Sequence, residues 1–201
     1  LQGQTPSDAS DKKKQLSWKT ISRELIADCE GFLVHKTNAE STCEKQVRSG
    51  FHTITCSNWV NVIAITGDAQ VVMAEQFRHG IAELTLEIPG GCIDESDLDP
   101  LSAAKRELLE ETGYSSEKWT MLGKSHPNPA LLNNVCYTFL AEDAKKVEEA
   151  KFDGTGTENI HCRLLALNSI DAQITDGTIS HSLVLAAFHL LSIKRSKTRT
   201  F

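Results

Sequence analysis

No stretch of this chain is apolar for long enough to cross a bilayer as a helix, and no basic stripe runs along it. The second absence, with a formal net charge of −6, argues against nucleic acid as the main partner. A polyanionic ligand would have to be met by a metal ion or by a few local Arg and Lys side chains. The cysteines, Cys29, Cys43, Cys56, Cys92, Cys136 and Cys162, lack the close pairs of a zinc site. Cys136 and Cys162 lie in apolar strand-like runs and read as buried thiols, so a reducing, cytoplasmic compartment is expected. The histidines, among them His79, His126 and His181, show no ligand spacing and receive no role. Internal repeats are missing too. The chain begins at Leu1 rather than Met, which leaves room for a leader removed upstream.

What is present is enough for a core. Hydrophobic residues make up 40% of 201 positions, which suits one domain or one domain with a small extension. Residues 1–15 are polar and read as a disordered tail. Residues 16–57 carry alternating apolar positions over Thr20–Ile26, Gly31–Lys36 and Gln46–Thr55, the pattern of a small antiparallel sheet, with Asn38–Glu44 as a polar turn. A main domain is expected over 58–194, and a basic tail over 195–201. In that domain Trp59–Thr66 and Val71–Phe77 form a hairpin, and Glu83–Ile88 leads into Pro89-Gly90-Gly91. Further strands are expected at Trp119–Gly123, Val135–Ala141 and Asn159–Leu167, with a helix over Ala144–Ala150 and an amphipathic one over Ile179–Ile193. Strands on both sides of an acidic helix, closed by a long C-terminal helix, imply an α/β/α sandwich with a mixed sheet, preceded by the small antiparallel sheet.

The acidic helix is marked at both ends. Asp99 suits the N-cap, Pro100 the first helical position and Gly113 the left-handed residue beyond the last turn. Leu101, Ala104, Leu108 and Leu109 gather on a core-facing stripe, and Glu107, Glu110 and Glu111 on the other side. Arg106 lies one turn before Glu110 and can pair with it. Like charges at this spacing cost about 0.2–0.5 kcal/mol per pair. A solvated face tolerates that; so does a hard divalent cation with oxygen ligands, Mg2+ or Mn2+.

Arg106-Glu107-Leu108-Leu109-Glu110-Glu111-Thr112-Gly113-Tyr114 resembles, without a gap, the second half of the Nudix box, Arg-Glu-apolar-x-Glu-Glu-x-Gly-apolar. The first half departs from it. Counting forward from Gly91 puts Asp97 at the box's first Glu, with one loop residue too many before Arg106; counting back from Arg106 puts Leu98 there. The first alignment is preferred, because a loop absorbs an insertion more easily than a helix. Gln76-Phe77-Arg78 and Leu86-Glu87-Ile88-Pro89-Gly90-Gly91 resemble the ADP-ribose and nucleotide-sugar pyrophosphatase branch of the family.

That resemblance implies the α/β/α fold, a bound Mg2+ (or Mn2+), and hydrolysis of a nucleoside diphosphate sugar to a nucleoside monophosphate and a sugar phosphate. It implies Glu107 and Glu111 as catalytic metal ligands, Glu110 direct or through water, the Gly90 carbonyl completing the shell, and Asp97 reaching a second ion. Arg78 would fork a phosphate, or else pair with a surface carboxylate. Glu87 would serve the ligand or a metal, or else be a strand residue facing solvent. Trp59, or Trp18, would stack a nucleobase, or else belong to the core. A base is expected from a loop after the box, Glu158 first and Asp153 second. A homodimer built on the N-terminal sheet is expected by resemblance. The alternatives are a Nudix hydrolase of a dinucleoside polyphosphate, coenzyme A or capped RNA, and a non-catalytic nucleotide-binding module.

Overall fold

The computed structural model describes residues 16–43, 46–151 and 159–198. They fall into two units, one running up to Cys56 and including Asn128–Asn133, the other comprising Ser57–Pro127 and the chain from Asn134 onward.

The first unit is an antiparallel sheet in the order β1 (Trp18–Asp28), β2 (Phe32–Ser41), β3 (Arg48–Cys56). Asn38–Ser41, expected as part of a turn, instead continue β2. Asn38 pairs with Gly50, Glu40 pairs with Arg48, and the Arg48 guanidinium bonds the Glu40 carboxylate at 2.9 Å. The reversal falls later, near Gln46, whose φ of 44° supplies the bend. Trp18, one of the two stacking candidates, packs edge-on against Phe51 with ring centroids 5.1 Å apart. β1 keeps Ile21, Leu25 and Ile26 about half exposed.

The second unit is a mixed sheet. Its main path runs β11 (Ile160–Ala166), β5 (Gln70–Arg78), β4 (Trp59–Thr66), β10 (Cys136–Lys146), β8 (Tyr114–Ser115). β6 (Glu83–Glu87) joins β5, β7 (Gly90–Cys92) joins β4 and β9 (Lys118–Ser125) joins β10. Only β4 and β10 pair in parallel among the registered strand pairs of the described residues. Alternation along β4 sorts the core into two layers. Val60, Val62 and Ala64 face helix α1 (Pro100–Thr112), where Ala103, Ala104 and Leu108 are buried. Ile63 and Ile65 face helices α2 (Ile170–Thr175) and α3 (Ser182–Thr198), which bring Ile170, Val184, Ala187, Phe188 and Leu191. This is the expected α/β/α sandwich. α3 starts later than its apolar pattern suggests and continues through Thr198, so the basic residues Arg195 and Lys197 form its last turn.

One expected element is overturned. Ala144–Ala150 is no helix; β10 runs on through Lys146. Asp143 takes φ 53°, and the register with β4 slips between Glu142 and Ala144. That bulge buries Ala144 in the core and turns Lys145 and Lys146 onto β8, opposite Ser115 and Tyr114. Helix-forming residues are thus overridden by strand pairing.

Candidate active site

α1 is held as its sequence anticipates. The Asp99 carboxylate accepts from the Ser102 amide at 2.7 Å, and the Ser102 hydroxyl takes the Asp99 amide at 3.0 Å, a reciprocal cap. Gly113 ends the helix at φ 73° with its N–H on the Leu109 carbonyl. The inner face differs from the expected stripe. Ala103 joins Ala104 and Leu108 in the core, Leu109 is only half-buried, and Glu111 is itself buried at 5% exposure.

Burial brings Glu111 to the glycines. Its Oε2 accepts from the Gly90 amide at 2.9 Å. β7 runs antiparallel to β4, Gly90 opposite Asn61 and Gly91 opposite Val60. A Cβ on Gly90 would lie 2.2 Å from the Val60 carbonyl oxygen, and one on Gly91 2.5 Å from Glu107 Oε1. No side chain fits at either position without displacing backbone or carboxylate. Two carboxylates one turn apart therefore meet the same two glycines.

Glu107 and the remaining acids share one cation. Arg106 Nε and Nη2 hold Asp97 at 3.2 and 2.8 Å, Nη1 reaches Glu107 at 2.9 Å and Glu110 at 3.1 Å, and Nη2 also takes the Cys92 carbonyl at 3.0 Å. Asp94 comes within 3.4 Å of the same guanidinium. Asp97 further accepts from the Asp94 amide. Hydrogen bonds from Arg106 hold the Asp97 carboxyl below its ordinary range, and the acids in turn push Arg106 upward. The extra loop residue is absorbed here: Asp97, though shorter than Glu, still reaches Arg106 and pins the loop to the helix.

Beside β7 opens a cavity of about 740 Å³, lined among others by Trp59, Arg78, Glu87, Gly91 and His181. That volume suits a drug-sized or nucleotide-sized ligand. Of the two readings of Glu87, the solvent-facing strand residue is excluded, because the residue is 3% exposed. Arg78 does make a forked contact, with Glu87: Nε to Oε1 at 2.7 Å and Nη2 to Oε2 at 2.8 Å. The Thr85 hydroxyl donates to Oε1 at 2.6 Å. Burial pushes this carboxyl up, but the hydrogen bonds from Arg78 and Thr85 and the charge of Arg78 outweigh it and leave it lowered. The alternating pattern of β6 gave no sign of this, since Thr85, Leu86 and Glu87 are all buried and both faces of its end are covered although the sequence alternates. His181 is the residue the sequence reading missed. A lone His before an apolar helix carries no spacing signal, and only the fold brings it to the cavity.

Gly90, Trp59, Arg78 and Glu87 thus meet in one cavity, with Glu107 and Glu111 against the glycines that line its rim. Glu110 and Asp97 are engaged by Arg106. Glu158 and Asp153 lie outside the described residues. Among the described residues, no three His, Cys, Asp or Glu side chains already stand together as a metal site. The donors in place are all oxygen, with the Glu107 carboxylate set so close to Gly91 that a methyl there would displace it, and that set fits a hard divalent cation rather than zinc.

Fold and cavity together describe an α/β/α domain whose acidic helix lies against a glycine strand beside a nucleotide-sized cavity. The model of the NUDIX domain matches residues 58–188, and the chain belongs to that family as a Nudix hydrolase. It is similar to an ADP-ribose pyrophosphatase of Bacillus subtilis, 29% identical over 69% of this chain and 73% of that one. It is also similar to a methanol dehydrogenase activator of Bacillus methanolicus, 36% identical over 45% of this chain and 49% of that one. A GDP-mannose pyrophosphatase of Yersinia pestis is 32% identical over 54% of this chain and 57% of its own. The chain thus spans between about half and three quarters of the length of these relatives. A solved structure described as an ADP compounds hydrolase shares the fold, with a TM-score of 0.77 over 90% of this chain and 95% of that one at 20% identity.

The Arg106–Asp97 fork makes a pH-dependent contribution. With its folded value lowered, Asp97 stabilises the protein above the ordinary carboxylate value, about 3.9, and loses that contribution as pH falls through the lowered one. Denaturant unfolding of Asp97→Asn is expected to show a deficit of about 1–3 kcal/mol at neutral pH, closing below about pH 4. A deficit of constant size at every pH would contradict it.

Proposed function

We propose that the protein hydrolyses the pyrophosphate of ADP-ribose or a related nucleoside diphosphate sugar, giving a nucleoside monophosphate and a sugar phosphate. The observation that carries this is the meeting of Glu107 and Glu111 with Gly90 and Gly91 on the rim of a nucleotide-sized cavity that also presents Arg78. The relatives named for ADP-ribose and GDP-mannose support the substrate class.

Cleaving a phosphoanhydride at neutral pH needs neutralised oxygens, an activated water and a fixed substrate. Glu107, Glu111 and the Gly90 backbone would hold Mg2+ or Mn2+, which supplies charge neutralisation and lowers the pKa of a bound water. Glu110 would join that set on release from Arg106, to which it is joined at 3.1 Å with its side chain half exposed. Arg78 offers its guanidinium to a phosphate across the cavity mouth, being 44% exposed even while forked on Glu87. Trp59 supplies a flat apolar wall against which a nucleobase can stack. The base that takes the water's proton we assign to Glu158. Asp97 does not reach a second ion in this reading, because its carboxylate is spent on Arg106.

Cys136, buried in β10, and Cys162, partly buried in β11, support a reducing, cytoplasmic setting, and no described helix is long and apolar enough to cross a membrane. The half-exposed Ile21, Leu25 and Ile26 of β1 support a homodimer through the N-terminal sheet. Sedimentation equilibrium is expected to give twice the chain mass, falling to one chain in Leu25→Glu; a monomer in the unsubstituted protein would sink the dimer.

Product analysis tests the reaction itself. With Mg2+ present, ADP-ribose is expected to yield AMP and ribose 5-phosphate, with GDP-mannose and UDP-glucose run beside it. Glu111→Gln keeps an oxygen for the Gly90 amide and so keeps its fold, and is expected to lose at least about a hundredfold in kcat, of the order of one lost electrostatic catalytic contact. Full-rate turnover by that variant would remove the mechanism.

A further inference from the structure

The cavity contains a conflict that the proposed reaction has to resolve. Among the described residues lining the cavity, Arg78 brings a guanidinium suited to a phosphate, yet both prongs of its fork already hold Glu87. Glu87 cannot simply be left behind. Its side chain is 4% exposed, so a carboxylate stripped of its cation would be charged and buried, and that is among the costliest states a side chain can adopt. If Arg78 turns to a phosphate, something else must take its place at Glu87.

His181 stands where such a replacement is needed. Its Nε2 lies 4.0 Å from Glu87 Oε2, the oxygen held by Arg78 Nη2. That distance is too long for a hydrogen bond and short enough for a small ring movement to make one. The other ring nitrogen, Nδ1, is buried and has no partner among the described residues. An N–H there would be a buried orphan donor, the rarer and more costly case; a bare acceptor is better tolerated. The proton therefore belongs on Nε2, the nitrogen facing Glu87. Among the described residues no hydrogen bond holds the ring: its side chain is 32% exposed, and its carbonyl is committed to the amides of Val184 and Leu185 at the start of α3. Thr85 keeps its bond to Oε1 throughout, so Oε2 is the oxygen that needs the substitute.

We propose that His181 is a positioning residue that relieves Arg78. When a ligand's phosphate draws the guanidinium away, His181 Nε2–H closes on Glu87 Oε2 and keeps the buried carboxylate partnered. The phosphate gains a forked cation without paying for a bare acid, so His181 tunes affinity for the anionic part of the ligand although it touches Glu87 rather than the phosphate. This rests on the reading that Arg78 binds phosphate, and the two can fail separately.

The test is calorimetric binding of inorganic pyrophosphate and of ADP-ribose, with EDTA present, to the full chain and its variants. His181→Phe is expected to weaken both ligands roughly tenfold, which corresponds to about 1.4 kcal/mol. His181→Gln, which restores a donor, is expected to recover most of that. In a Glu87→Gln background His181→Phe is expected to change nothing further, because no buried charge is left to relieve; a merely structural role for the ring would persist there. Undiminished binding by His181→Phe, or an equal loss in the Glu87→Gln background, overturns the inference while leaving Arg78 as a phosphate ligand. Unchanged binding by Arg78→Gln overturns the phosphate reading and the inference with it. Binding of pyrophosphate without ADP-ribose would move the substrate class and keep both residue roles. Thermal unfolding of each variant confirms the fold, and if His181→Phe unfolds, His181→Leu carries the same comparison.

Discussion

The structure depends on a close approach: two carboxylates of α1 against two consecutive glycines of β7. Glu111 reaches the Gly90 amide at 2.9 Å, and Glu107 occupies the volume a side chain on Gly91 would need. Burying acid against backbone is costly unless each oxygen is satisfied, and the surroundings are arranged around that requirement. β7 is tied to β4, α1 is capped at both ends, and the loop between them is fastened to Arg106 through Asp97 and the Cys92 carbonyl. Each device removes a freedom that would let the acids drift from the glycines.

Arg106 answers the electrostatic question raised by the sequence. Clustered acids on one helix ought to repel; one guanidinium hydrogen-bonded to Asp97, Glu107 and Glu110, with Asp94 close by, makes most of the cluster tolerable before any ion arrives. Glu111 stands outside that network and relies on Gly90. Asp97 and Glu110 are held by Arg106 and Glu111 by the Gly90 amide, while Glu107 belongs to both sets, bonded to Arg106 and packed against Gly91. The cavity repeats the theme, with Arg78 and Thr85 satisfying Glu87 until something more highly charged competes.

Much of this was legible in the residues. The cap, the proline start and the glycine end of α1 are local rules, and the structure obeys them because short-range hydrogen bonds decide them. β4 was readable to its ends, since its apolar run is bounded by turn residues. What failed was non-local. The Ala144–Ala150 segment has helix formers, yet a bulge at Asp143 and pairing with β8 claim it for a strand. For Glu87 the sequence left a ligand role and a solvent-facing strand position both open, because no local pattern announces that Arg78, nine positions away, and Thr85 will hold it buried. Glu111 was placed with the outer acids for the same reason. His181 was invisible: a single His has meaning only once α3 is folded against the sheet.

The central claim is that the oxygens gathered at Gly90 and Gly91 take up a divalent cation. Titration of the purified protein with Mn2+, followed by the loss of the free-ion electron paramagnetic resonance signal, tests it most directly. The account predicts saturable binding that is lost in Glu107→Gln and in Gly91→Ala, both of which should still fold. Binding of undiminished affinity in both variants would contradict it.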